Sequence, residues 1–137
     1  MLETLLAREK VTALAPEEAR IAHGLRTWVA LRRAGKCPMQ ALAGRLGSLR
    51  AAAHLQLLLE EIAACWPDQF AVSPPCCACL SHDEATLVEM ARLGRAGDRP
   101  GFDRLLGEML PQDARERLFL SAVSVARAIG EARSARA

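Results

Sequence analysis

Leu55, Leu58, Leu59, Ile62, Cys65 and Trp66 recur at i, i+3, i+4, i+7, i+10 and i+11. That spacing lines them along one stripe of an α-helix and would scatter them over both faces of a strand. Ser48 is a fair cap ahead of the run, and Pro67-Asp68 ends it. Leu57 widens the apolar arc, which predicts a central helix with neighbours on more than one side. A helix of this kind draws most of its stability from packing, so the rest of the chain has to supply partners.

It does so in pieces. Ala15-Pro16-Glu17-Glu18 starts a helix, with proline where the N–H would be unpaired and two acids at the positive end of the dipole. Ile21, Leu25, Trp28, Val29 and Arg32 form its stripe to about Gly35, leaving His23 and Arg26 off it. Met39, Leu42, Ala43 and Leu46 predict a short helix stopped at Gly47. Ser81 followed by Glu84 spells a capping box, which opens a helix carrying Leu87, Val88 and Ala91 and offered a stop at Gly94 or Gly97. Asp98-Arg99-Pro100-Gly101 reads as a turn before an amphipathic run of Phe102, Leu105, Leu106, Met109 and Leu110. After Pro111, the last helix points Leu118, Ala122, Val125, Ala126 and Ile129 inward, and Arg115, Arg117, Arg127 and Arg133 outward. Phe70 and Val72 alternate with polar or small residues, enough for a brief extended segment and too little for a sheet.

The expected fold is therefore all-α, a compact bundle of five to six helices with residues 1–137 in a single domain. Leu2, Leu5 and Leu6 suggest a docking arm within residues 1–14, and residues 130–137 should fray. An apolar share of 51% argues against disorder, and aromatics at only 4% leave the core to aliphatic side chains.

Eighteen basic against sixteen acidic residues leave a net charge of +2, without the concentrated basic face of most nucleic-acid binders. No uncharged apolar run approaches membrane-spanning length, and Glu3, Arg8, Glu9 and Lys10 interrupt any leader-like stretch. Both features point to a cytoplasmic protein with no membrane partner. In a reducing compartment, five cysteines read as thiols, ligands or redox groups before structural disulfides, and an odd number cannot all pair within one chain.

Three of those cysteines crowd into Ser73 to Glu84, behind the stiff Pro74-Pro75 pair that keeps the approach extended. Cys76, Cys77, Cys79 and His82 spell C-C-x-C-x-x-H, and Cys65 could join them from the neighbouring helix. Soft thiolates with one imidazole suit zinc. Structural zinc sites show two separated pairs, whereas these residues share one short stretch with no glycine to wrap an ion, so no cofactor is expected and zinc is the one ion the set suits. A thiol just ahead of a helix start is also open to redox chemistry. The plain alternative is that the cysteines act as small apolar side chains at a seam between helices.

Other patterns carry less. Cys37-Pro38 fits a helix start better than a haem ligand. Consecutive Ser81-His82-Asp83 cannot form the relayed bonds of a catalytic triad and reads as capping. Glu60-Glu61 and Asp83-Glu84 lack the partners of a di-iron bundle and read as solvated surface. His23 and His54 stand alone, and no phosphate-binding glycine loop occurs. Ala41 to Leu55 resembles a helix-turn-helix that would offer Arg50, His54 and Gln56 to a DNA groove, but its turn is one residue short and no basic patch supports it.

His23-Gly24-Leu25, Leu58-Leu59-Glu60-Glu61-Ile62 and Pro75-Cys76-Cys77 running into Ser81-His82-Asp83-Glu84 together resemble a family of short bacterial helical proteins of no established activity. The resemblance spans roughly residues 21–106 and implies a helical fold with attention on the cysteine junction; it transfers no catalytic or binding residue. The sequence thus favours a non-enzymatic structural or interaction protein, binding a protein partner or a second copy as a homodimer through apolar surface of its terminal helices. The alternatives are a thiolate metal or redox sensor and a DNA-binding regulator.

Overall fold

A computed structural model describes residues 9–136 as six α-helices. These are α1 Pro16–Arg33, α2 Met39–Leu46, α3 Leu49–Cys65, α4 His82–Ala96, α5 Arg99–Leu106 and α6 Gln112–Arg136, preceded by one 3-10 turn at Val11–Ala13. Most of the expected docking arm lies outside the described residues. Among these residues no strand forms; one isolated antiparallel bridge joins Lys10 to Cys79, made by Val11 N donating to Ala78 O and Leu80 N to Glu9 O, each at 2.9 Å.

The local signals explain the helix ends. Pro16 opens α1, and the Ser48 hydroxyl caps α3 by accepting from Ala51 N at 3.0 Å. Gly47 at φ +101° and Gly97 at φ +68° close α2 and α4 in the left-handed region, where a Cβ would be strained. The stretch Asp98 to Gly101 is not a free turn. Asp98 Oδ1 accepts from Gly101 N at 2.9 Å and caps α5, which ends at Leu106, short of Met109 and Leu110.

Packing builds outward from α3, which lies most extensively against α6 and also against α2. Leu55, Leu58 and Ile62 of α3, Leu42 and Leu46 of α2, Leu87 and Met90 of α4, Phe102 of α5 and Leu118 and Ile129 of α6 share one buried cluster. Each such side chain stabilises the fold by about 1.5–3 kcal/mol relative to exposure. Cys65 and Trp66 pack against its edge, half-buried. Gly94 does not stop α4: a Cβ there would meet Ala122 Cβ at 2.9 Å and Ala122 C at 3.0 Å, so it is a point of close approach between α4 and α6. A second, smaller cluster of Val11, Ala22, Leu80 and Val88 sits beneath the cysteine junction.

Two side chains depart from the sequence expectation. Leu57 does not widen the buried arc; it is 52% exposed. Arg115 turns back, donating to Asp103 Oδ1 of α5 at 3.1 Å and to Leu110 O at 2.7 Å, because that carbonyl lies in the connection between α5 and α6 with no helical partner. α6 extends to Arg136, and within its last turns Arg133 reaches Glu17 of α1 at 3.1 Å.

Candidate functional site

The junction begins with a turn. Cys77 N donates to Pro74 O at 3.0 Å, with Pro75 in the position whose fixed φ favours such turns. The chain then runs over α1 with the carbonyls of Cys77 and Cys79 facing inward, where neither helix nor sheet can satisfy them. Arg26 does so: Nη1 donates to Cys77 O at 2.7 Å and Nη2 to Cys79 O at 3.0 Å. The same guanidinium forks onto Glu84, Nε to Oε2 at 2.8 Å and Nη2 to Oε1 at 3.0 Å. Both side chains are at most 1% exposed.

Glu84 is equally committed. The Ser81 amide donates to its Oε1 at 2.8 Å and the Ser73 amide to its Oε2 at 3.2 Å, so the carboxylate accepts at all of its roughly four lone-pair sites. Ser81 completes the capping box by accepting from Glu84 N while its hydroxyl donates to Ala71 O at 2.6 Å. Asp83 holds the same incoming segment, accepting from Ala71 N at 2.7 Å and from the Trp66 indole N–H at 3.3 Å. Burial pushes the Glu84 carboxyl up, but the bonds from Arg26, Ser81 and Ser73 outweigh it and hold the group below the usual carboxylate range. Its hydrogen bond to Glu84 raises Arg26 further. The reading of Asp83-Glu84 as solvated surface is thus corrected: Glu84 is fully buried, and both carboxylates hold backbone.

Cys76, Cys77 and Cys79 lie on the segment that this latch holds. All five are free thiols. Cys76 is exposed at the turn; Cys77 is half-buried, its Sγ donating to Cys79 O at 3.3 Å; Cys79 is half-buried in the bridge to Lys10. Cys65 lies at the end of α3, where burial pushes its thiol up and disfavours the thiolate. His82 is exposed at the first turn of α4. Among the described residues no three His, Cys, Asp or Glu side chains converge in an arrangement that could hold a metal ion.

Of the helix-turn-helix candidates, Arg50 and Gln56 face different neighbours. Arg50 reaches toward Glu131 of α6 at 3.8 Å, whereas Gln56 accepts from the Trp28 indole N–H of α1 at 3.2 Å. His54 is half-buried between them in sequence. His23 is held below its ordinary range by burial and by the charges of Arg45 and Arg26.

Arg26 is the residue that helical periodicity misplaces, and a signal for it existed. Ala22, Leu25, Arg26 and Val29 follow i, i+3, i+4 and i+7, so the arginine occupies a slot on an apolar stripe and needs a buried partner there. Periodicity also missed an apolar hollow of about 250 Å³ between α1, the end of α3 and the segment after it, lined by Trp28, Trp66 and Phe70 among others. No protein-family model, curated protein or solved structure matches this chain.

Proposed function

We propose that the chain is a non-catalytic structural or protein-interaction module that pairs with a second copy of itself across the exposed seam of α3 and α6. Its most elaborate polar cluster supports a structural role, because every lone-pair site of Glu84 and four N–H donors of Arg26 already hold the protein's own groups. The observation that carries the interaction reading is the exposure of Leu57 at 52% and Leu120 at 59%.

Both leucines flank one side of the same seam. Arg50, Leu57 and Glu61 share a face of α3, and Leu120 and Glu131 share a face of α6, by helical spacing. Arg50 meets Glu131, and Glu61 accepts from Ser121, so the two helices run antiparallel with these faces alongside. Apolar side chains with charged flanks are what a self-complementary interface requires. Light scattering of the full chain at high concentration should give twice the monomer mass, and Leu57→Glu/Leu120→Glu the monomer mass. A monomer at every concentration removes self-association.

A further inference from the structure

The hollow beside Trp28 and Trp66 is a different kind of surface. Leu25 and Val29 of α1 form its floor with Leu59 and Ile62 of α3, and the 66–72 segment closes it from above. Both indole N–H groups are engaged elsewhere, Trp28 with Gln56 and Trp66 with Asp83, so the rings offer the hollow only their apolar surface. Phe70 packs against Trp66 with ring centroids 5.1 Å apart. The volume falls just under the roughly 300–1,000 Å³ of drug-sized sites, which fits a single ring or a short chain.

Charge sets the other end of the occupant. Val29, Arg33 and Val72 also line a second hollow of about 210 Å³, walled by Pro74 and Pro75, so the two spaces adjoin beneath Arg33. Arg33 makes no ion pair among the described residues. Arg26 lines the second hollow too, while Arg32, stacked over Trp28 at 5.0 Å, and Lys36 follow along the same helix end. Among the described residues, Asp68 is the one acid lining either space. A guanidinium above an apolar chamber recognises a carboxylate attached to an apolar body.

We infer that this cleft binds a small free carboxylic acid, its ring or short aliphatic body among Trp28, Trp66 and Phe70 and its carboxylate on Arg33. Because both tryptophans of the chain line the hollow, their fluorescence reads its occupancy. The probe is 3-phenylpropanoate titrated into the full chain, with 3-phenylpropanol and 3-phenylpropylamine as neutral and cationic counterparts. The acid should give a saturable change and bind about tenfold more tightly than the alcohol, the scale of one charge-assisted hydrogen bond at a part-exposed site; the amine should bind more weakly still.

Arg33→Gln should bring the acid's affinity down to that of the alcohol. Ala63→Phe, at an exposed lining position of α3, should abolish binding of both while circular dichroism stays unchanged. A peptide ending in phenylalanine with a free carboxyl should bind no better than the acid. The inference is overturned by the absence of a saturable response to the acid, by equal affinity for acid and alcohol, or by a preference that survives Arg33→Gln. A peptide that binds about tenfold more tightly than the acid also overturns it, by assigning the cleft to a polypeptide terminus.

Discussion

The cysteine junction and the contact of α4 with α6 solve opposite problems. At the junction the chain has no regular structure, and a single buried ion pair holds it by satisfying backbone groups from four different residues, Ser73, Cys77, Cys79 and Ser81. Between α4 and α6 the backbone is already satisfied, and what matters is the missing Cβ of Gly94 against Ala122. The first region is specified by hydrogen bonds and the second by shape. Substitutions should separate them by the kind of change each tolerates.

The largest effect is expected at the ion pair. Arg26→Ala or Glu84→Gln leaves a buried charge uncompensated and should cost about 3–5 kcal/mol in urea unfolding. The pH profile carries the same signature. Folding depresses the Glu84 pKa, so its contribution is complete above the ordinary glutamate range of about 4.3 and is lost as pH falls through the lower folded value. Glu84→Gln should flatten that part of the acid-unfolding curve, and an unchanged curve would remove the pair from this role.

A sharper test replaces both partners, Arg26→Met with Glu84→Leu. An ion pair that held only itself together could be exchanged for apolar residues at little cost. Here the exchange strands two carbonyls and two amides, and the double variant should remain about 1–3 kcal/mol less stable than the wild type. Equal stability would show that the junction's backbone has other partners to turn to.

At the shape-specified contact, Gly94→Ala should cost about 1–3 kcal/mol by overpacking, since the clash includes Ala122 backbone. Gly44→Ala is its counterpart. Nothing lies within 4 Å of a Cβ there, and the position is inside α2, so helix propensity should raise stability by about 0.5–1 kcal/mol. Thermal melts of the two variants should move in opposite directions.

The all-α architecture was legible because its signals are local. Pro16, Gly47, Ser48 and the Ser81–Glu84 box act within four residues of themselves, and the apolar stripes repeat every turn. What Arg26 and Glu84 do together was not legible, since they stand 58 residues apart. Periodicity assigns a charge to solvent by default. Leu57 failed in the mirror direction, an apolar residue counted as buried because side-chain type was taken for position. The cysteines drew attention to a loop in which the carbonyl oxygens of Cys77 and Cys79 are gripped by Arg26, a role for the backbone that side-chain type does not announce.

The ion pair also bears on the order in which the chain assembles. Closing a loop of 58 residues is an entropic demand that adjacent helices such as α2 and α3 do not face. Neither the guanidinium nor the carboxylate has its native partner until α1 and the start of α4 have met. This corner of the molecule is therefore a clasp that only the meeting of two distant stretches of chain can fasten.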